Sequence, residues 1–322
     1  MSVYVVTGGA GFIGSSIVER LVRDGEYVRV VDDLSTGRRD NLGVLQSEVH
    51  FYEGSVCNAE LLRDAFEGAD YVLHQAALAS VQGSIDDPTK TNQVNVGGTL
   101  NVLMVARECG VKRVVYASSS SVYGTGAEQP KREDMMPAPA SPYAVSKLVG
   151  EHYCGAYSSL FGLETVCLRY FNVFGPRQDP HSQYAAVIPM FIRTIQEGGS
   201  PRVFGDGEQS RDFVFVEDVG EANLRAARIP GAAGAVLNIG SGERCTVNVL
   251  LGLLQRLTGK AVEPEHCAPR PGDVRHSQAD ISKAQRAIGY RPRVSFEDGL
   301  RRTTEWYEGK DATTFYMTEP KA

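Results

Sequence analysis

The sequence predicts an α/β protein with a doubly wound parallel sheet and a smaller mixed α/β lobe towards the C-terminus. Up to about residue 172, β-rich runs alternate with helical patterns of roughly 10–15 residues, which is typical of βαβ units. Beyond that point, segments rich in Gly, Pro and polar residues interrupt the alternation, at 175–183 and 198–211.

The predicted elements follow one another regularly along the first half of the chain. Strands are predicted at 3–8, 27–33, 49–54, 71–77 and 111–119. Helices are predicted at 12–24, 58–67 and 92–108. Two more strands are expected at 213–219 and 235–242, and 263–277 is expected to be irregular. We therefore expect two interleaved domains, with 1–172 and 212–242 in the sheet domain and 173–211 and 243–310 in the lobe.

Composition excludes several classes of protein. The chain has 33 basic and 39 acidic side chains among 322 residues, a net charge of −6, whereas nucleic-acid binders have a basic surface. It contains no apolar run of the ~18–20 residues that span a bilayer, and no basic segment precedes an N-terminal apolar stretch. The six cysteines form no CxxC pair and no zinc spacing. The prediction is a cytoplasmic protein with reduced thiols, no metal, and neither nucleic acid nor membrane as a partner.

A glycine-rich turn lies between the first strand and the first helix. Gly8, Gly11 and Gly14 are spaced three apart within GGAGFIG. Such glycines permit a tight turn, close approach to a pyrophosphate, and close packing of helix on sheet. The N-terminus of the following helix offers free N–H groups to phosphate. The context predicts a Rossmann domain that binds a dinucleotide.

The end of the second strand carries an acid. Asp32 follows Gly14 by 18 residues, where an acid binds the ribose hydroxyls of NAD and repels the additional phosphate of NADP. Asp33 is an alternative for this role, and Arg38 and Arg39 could accept a 2′-phosphate. The balance favours NAD.

Tyr143 and Lys147 form a Y-x-x-x-K pair at the start of a predicted helix, one turn apart on one face. A phenol is a poor base at neutral pH, but a neighbouring ammonium group and a positively charged nicotinamide both lower its pKa. The serine run 118–121 at a strand end can hold the same substrate hydroxyl. The pair alone has little specificity, since a chain with 14 tyrosines produces such spacings by chance.

Several further motifs occur in collinear order between residues 3 and about 307. They are HQAA (74–77), ASSSSVYG (117–124), SPYAVSK (141–147), LRYFNVFGPRQDP (168–180), AAVIP (185–189), GDGEQSRDFVFVEDV (205–219) and RPGDVRHSQADISKA (270–284). With the glycine turn, they resemble the extended short-chain dehydrogenase/reductase family, and within it the nucleotide-sugar 4-epimerases.

The resemblance implies a role for specific residues. Tyr143 would accept the proton from the sugar O4, Lys147 would act as its electrostatic partner, and Ser119 would bind the hydroxyl; Ser118 and Ser120 are adjacent alternatives. The NAD site would comprise Gly8, Gly11, Phe12, Ile13, Asp32, Ser55, Val56, Gln75, Ala76, Ala77, Asn95, Tyr143, Lys147 and Tyr170. Substrate contacts would come from Ser80, Ser119, Ser120, Tyr143, Asn172, Val187, Val203, Arg211, Arg270, Asp273 and Ser277. The two arginines suit a diphosphate.

Three positions refine the implied activity. Ser55 replaces an Asp that is usual in the family near the adenine. Ser120 and Ser121 replace the Asp-Glu of the 4,6-dehydratases, which argues against water elimination. Ser277 is small where a bulky residue closes the sugar pocket, which favours UDP-GlcNAc and UDP-GalNAc, with UDP-Glc and UDP-Gal as further candidates.

The expected reaction is redox-neutral epimerisation through a 4-keto sugar by a homodimer. The alternatives are a UDP-uronic acid epimerase, a dehydratase, a keto-sugar reductase, and a non-catalytic NAD(P) sensor, because the fold alone does not establish turnover.

Overall fold

The structure is a computed structural model, and it describes residues 1–180, 186–269 and 274–309. Its strands, in chain order, are β1 (Val3–Thr7), β2 (Tyr27–Asp32), β3 (His50–Glu53), β4 (Tyr71–His74), β5 (Arg113–Ser119), β6 (Glu164–Tyr170), β7 (Asn172–Phe174), β8 (Arg202–Phe204), β9 (Ser210–Arg211), β10 (Phe213–Phe215), β11 (Val236–Ile239), β12 (Cys245–Thr246) and β13 (Glu265–Cys267).

The helices connect these strands. They are α1 (Phe12–Arg23), α2 (Ala59–Phe66), α3 (Val81–Asp86), α4 (Pro88–Asn92), α5 (Gly98–Glu108), α6 (Pro142–Phe161), α7 (Val187–Gln196), α8 (Val216–Arg228), α9 (Val247–Thr258), α10 (Ser282–Ile288) and α11 (Phe296–Tyr307). Two 3₁₀ segments span Arg39–Ser47 and Ser120–Tyr123. Within the described ranges, no helix is both long and apolar enough to cross a membrane.

Seven parallel strands of the described chain form one sheet in the order β11-β6-β5-β4-β1-β2-β3. Successive strand residues point to opposite faces, so Val5 and Val6 belong to different clusters of the core. On one face α1 and α8 pack on the sheet through residues such as Ile17 and Ala222, and on the other α2, α5 and α6 pack through residues such as Leu103. This doubly wound arrangement confirms the predicted fold class.

A third cluster lies outside the main sheet. Residues of α7, α9 and α11 pack on an aromatic group that includes Phe174, Phe213, Phe215 and Phe296. The short sheets β7-β10, β8-β13 and β9-β12 connect this cluster to the segments that follow β6. These elements lie next to the edge of the main sheet where the carboxyl ends of its strands meet.

Three sequence predictions of secondary structure were wrong in detail. The strand predicted at 213–219 ends at Phe215, and α8 begins at Val216, since Glu217 and Asp218 suit a helical first turn. The helix predicted at 92–108 is preceded by α4 and includes a π-helical turn at Gln93–Gly97. The segment 263–277, expected to be irregular, contains β13.

Candidate active site

A cleft of about 420 Å³ opens at the carboxyl ends of the parallel strands. Open α/β sheets bind their ligands at this edge. Most residues of the predicted NAD site line it, namely Gly8, Gly11, Phe12, Ile13, Asp32, Ser55, Val56, Gln75, Ala76, Ala77, Tyr143, Lys147 and Tyr170, and it also includes Ser80 from the predicted substrate site.

The glycine turn leaves no room for side chains. A Cβ at Gly8, whose φ is +69°, would lie 2.7 Å from the Ala76 nitrogen, and one at Gly14 would lie 2.0 Å from the Gly8 oxygen. Among the described residues, no side chain caps the first turn of α1, and Phe12, Ile13 and Gly14 of that turn line the cleft. These observations fit the pyrophosphate of a dinucleotide.

Asp32 holds the loops around this turn. Its carboxylate, 7% exposed, accepts hydrogen bonds from the backbone nitrogens of Ala10 (2.9 Å) and Leu34 (2.8 Å). Burial raises its pKa, and the backbone hydrogen bonds oppose this. Asp33 is exposed and accepts from the Ser35 nitrogen.

Among the described residues, neither of the two arginines that could have favoured NADP forms an ion pair with Asp32. Arg39 forms an ion pair with Glu53 at 2.6 Å, and its guanidinium group lies 4.1 Å from the centroid of the Phe51 ring. Arg38 lines a separate cavity of about 520 Å³ on the outer face of α1, beside Arg20.

The catalytic candidates lie where α6 crosses the end of β5. The buried Nζ of Lys147 donates a hydrogen bond to the Ala117 carbonyl at 2.8 Å and lies 5.9 Å from the centroid of the Tyr143 ring. Burial lowers the pKa of Lys147 to about 8. Burial raises the pKa of Tyr143, while a hydrogen bond with Ser119 acts in the opposite sense. The polypeptide alone therefore does not lower the pKa of Tyr143 below its usual range, because desolvation outweighs the electrostatic effect that the sequence suggested.

The structure separates the serines of the run 118–121. Ser118 donates to Glu151 of α6 at 2.5 Å and also lines the cleft. Ser119 lies beside Tyr143, and its hydroxyl also accepts from the Ser121 nitrogen at 3.1 Å. Ser120 begins the short 3₁₀ segment that follows β5.

Asn95, predicted to bind the cofactor, is buried beneath the cleft. Its side chain accepts from the Leu78 nitrogen at 2.8 Å and donates to the Leu78 carbonyl at 3.0 Å. It thereby holds the loop that leads to Ser80, whose hydroxyl caps α3 by accepting from the Gly83 nitrogen.

Sequence reasoning missed Asn223 of α8. Its amide oxygen accepts from the Gln75 side chain at 3.0 Å, and its amide nitrogen donates to the Tyr170 hydroxyl at 2.8 Å. This network orients two side chains that line the cleft. The available signal was a polar residue among the alanines and other apolar residues of the segment that forms α8.

A second pocket, of about 310 Å³, adjoins the cleft. The predicted substrate residues Asn172, Val187, Val203 and Arg211 line it. Its aromatic wall, which includes Phe204 and Phe213, was not predicted, nor was Gln178, which lines both this pocket and the cleft.

Ser277 lies close to this pocket, because its backbone nitrogen donates to the Ser210 carbonyl at 3.0 Å, next to Arg211. Arg270 and Asp273 lie outside the described residues.

Known proteins resemble this chain over nearly its whole length. The chain is similar to a UDP-glucose 4-epimerase of Mycolicibacterium smegmatis, at 40% identity over 311 residues, which is 95% of this chain and 98% of the relative.

Two solved structures are similar in fold and sequence. A UDP-N-acetylglucosamine 4-epimerase from Methanobrevibacter ruminantium, in complex with UDP-N-acetylmuramic acid, matches with a TM-score of 0.92 and 40% identity over 96% of this chain and 99% of its own. A UDP-glucose 4-epimerase of Thermus thermophilus in complex with NAD matches with a TM-score of 0.86 and 39% identity, over 95% and 99%.

The model of the NAD dependent epimerase/dehydratase family matches residues 4–240. The predictions of the family, of an epimerase and of NAD as cofactor are therefore confirmed. The chain belongs to the NAD-dependent epimerase/dehydratase family.

Proposed function

We propose that this UDP-sugar 4-epimerase interconverts UDP-GlcNAc and UDP-GalNAc, and that it also accepts UDP-Glc and UDP-Gal. The observation that carries the proposal is the position of Tyr143 and Lys147 in a cleft that adjoins a second pocket containing Arg211, with Ser119 hydrogen-bonded to Tyr143. The candidate proton acceptor and a side chain suited to a diphosphate thus line adjoining pockets.

In the proposed reaction, Tyr143 takes the proton from the sugar O4 and returns it after the 4-keto sugar has turned in the site. Ser119 hydrogen-bonds to the same oxygen and keeps it close to the phenol. NAD would be held by the glycine turn and Asp32, and it would supply the hydride acceptor, and then the hydride donor, for C4 of the sugar. Lys147, held by the Ala117 carbonyl, places its charge beside Tyr143 and favours the phenolate. The nucleotide fits the second pocket, whose aromatic wall can pack against a base.

The choice of N-acetylhexosamines rests on Ser277. Its side chain is small, and its backbone nitrogen donates to the Ser210 carbonyl next to Arg211, so we place the N-acetyl group beside it. Ser120 and Ser121 supply no carboxylate next to Ser119, which argues against a dehydratase.

The protein is also proposed to be a homodimer that associates through α5 and α6. Val145, Leu160 and Phe161 expose 46%, 73% and 45% of their surface on α6. Association would bury this apolar area. Light scattering of the purified protein distinguishes about 35 kDa from twice that mass.

The decisive experiment incubates the purified protein with UDP-GlcNAc, UDP-Glc and UDP-glucuronic acid separately. Products are resolved by epimer and by mass. We expect a C4 epimer of unchanged mass from UDP-GlcNAc, with no net change in NADH. Turnover of UDP-glucuronic acid alone would contradict the proposed specificity, and loss of water would indicate a dehydratase. Consumption of NAD(P)H would indicate a reductase, and bound NAD without turnover would indicate a sensor.

A further inference from the structure

One face of α6 is fastened to the end of β5 at successive helical turns. Tyr143, Lys147 and Glu151 are four residues apart, so their side chains lie on the same face of the helix. Tyr143 contacts Ser119, and Lys147 donates to the Ala117 carbonyl.

Glu151 makes the third contact. Its Oε1 accepts a hydrogen bond from the Ser118 hydroxyl at 2.5 Å. Ser118 lies on β5 between Ala117 and Ser119, the contacts of Lys147 and Tyr143. It is therefore held by Glu151, on the next turn of the same helix.

The Glu151 carboxylate is in turn clamped by β6. Arg169 donates to it through Nε at 2.8 Å and through a terminal nitrogen at 2.7 Å, and each side chain is only 5% exposed. Arg169 is the registered partner of Ser118 across β5 and β6. Bidentate pairs of this kind impose geometry as well as energy.

We propose that Glu151, through Ser118 and Arg169, is a positioning residue that sets the register between Tyr143 on α6 and Ser119 on β5. The role rests on the proposed epimerase function. A buried ion pair is a poor source of stability, since apolar residues of similar volume are often as stable. It does fix one geometry, and a displacement of about 1 Å in a catalytic group costs roughly 10²-fold in rate.

The chain provides a matched control at the opposite end of the same two strands. Arg113 and Glu164 are also registered partners on β5 and β6 and form an ion pair at 2.6 Å. Arg113 is buried, the Glu164 side chain is 47% exposed, and the pair lies six residues of β5 away from Ser119.

The test compares the double variant Glu151→Leu/Arg169→Met with the wild type and with Glu164→Gln. We expect the double variant to unfold at a denaturant concentration near that of the wild type, to retain NAD and to keep its KM for the UDP-sugar. Its kcat should nevertheless fall roughly 10- to 100-fold. Glu164→Gln should keep wild-type kcat. A double variant with wild-type kcat would overturn the positioning role.

A second variant keeps the proposal testable if the double variant does not fold. Ser118→Ala removes the hydrogen bond to Glu151 and leaves Ser119 and the ion pair in place. It should lower kcat by roughly tenfold with KM unchanged, and wild-type kcat in this variant would overturn the proposal. A wild type inactive on every UDP-sugar would instead refute the epimerase function, and the positioning role with it.

Discussion

The Nζ of Lys147 donates a hydrogen bond of 2.8 Å to the carbonyl oxygen of Ala117, two residues before Ser119. This bond ties the face of α6 that carries Tyr143 and Lys147 to the end of β5. It also places a cation of lowered pKa at the floor of the cleft, beside the Tyr143 ring.

Tyr143→Phe should abolish epimerisation while NAD stays bound. The variant loses only the phenolic oxygen that exchanges the proton, so turnover should fall by roughly 10²–10⁴-fold. Product analysis with UDP-GlcNAc and absorbance of the co-purified cofactor measure the two effects. Tyr153→Phe, on the same helix, is the control and should keep full activity. An active Tyr143→Phe enzyme would refute the assignment.

Asp32→Ala and Asp33→Ala should have different effects. Removal of the Asp32 carboxylate leaves the nitrogens of Ala10 and Leu34 without their partner, at a cost of about 1–3 kcal/mol in the free energy of unfolding. It should also weaken NAD retention. Asp33 is exposed, so its variant should change the stability by less than about 0.5 kcal/mol. Urea unfolding and NAD titration check both; equal effects would show that the roles of the two acids were misassigned.

Gly14→Ala should prevent the glycine turn from forming. The added Cβ would lie 2.0 Å from the Gly8 oxygen, which only a backbone shift can relieve. Gly252→Ala, in α9, meets no described atom within 4 Å and should be neutral or stabilise by roughly 0.5–1 kcal/mol. Thermal unfolding and NAD content compare the two. Retention of NAD by a folded Gly14→Ala protein is the outcome that contradicts this prediction.

Ser277→Tyr should reduce turnover of UDP-GlcNAc relative to UDP-Glc. A phenol at this position would occupy the space proposed for the N-acetyl group, and the expected change in the ratio of kcat/KM is roughly tenfold or more. Ser277→Ala keeps a small side chain and should leave the ratio unchanged. If N-acetylhexosamine turnover survives in the Tyr variant, the specificity argument fails.

The buried side chain of His74 is hydrogen-bonded at both ring nitrogens. Thr99 donates to the Asn95 carbonyl at 2.6 Å, so it accepts from Nε2 of His74 at 3.0 Å. Nδ1 then accepts from the Thr7 hydroxyl at 2.7 Å. Burial, with a smaller contribution from the charge of Lys147, lowers the pKa of His74 to about 3.

This histidine makes stability depend on pH. The pKa of His74 in the folded protein lies below its unfolded value of about 6.5. Its contribution to the free energy of unfolding is therefore complete above pH 6.5 and is lost as the pH falls towards 3, because the unfolded chain then binds the proton more readily. Between pH 6.5 and 5 this loss of unfolding free energy amounts to about 2 kcal/mol. His74→Gln should therefore flatten the pH dependence of the unfolding free energy, whereas the exposed His152→Gln should not. Identical slopes in wild type and His74→Gln would contradict the assignment.

Local patterns were sufficient for a large part of the fold and the site. Three features each lie within one strand-turn-helix unit. They are the glycines Gly8, Gly11 and Gly14, the acid Asp32, and the pair Tyr143 and Lys147 one helical turn apart. Their geometry follows from helix periodicity and the sterics of a turn, and the sequence displays both directly. The alternation of strands and helices likewise predicted the doubly wound sheet.

Contacts between distant segments required the tertiary structure. Asn223 reaches Gln75 across 148 residues, Glu151 accepts from both Ser118 and Arg169, and Ser119 lies beside Tyr143. Sequence periodicity does not encode which distant polar groups meet. A buried polar group forms its hydrogen bonds with whichever partner the packed helices and strands place next to it. For the same reason, the sequence indicated the chemistry of Tyr143 but not that burial would raise its pKa.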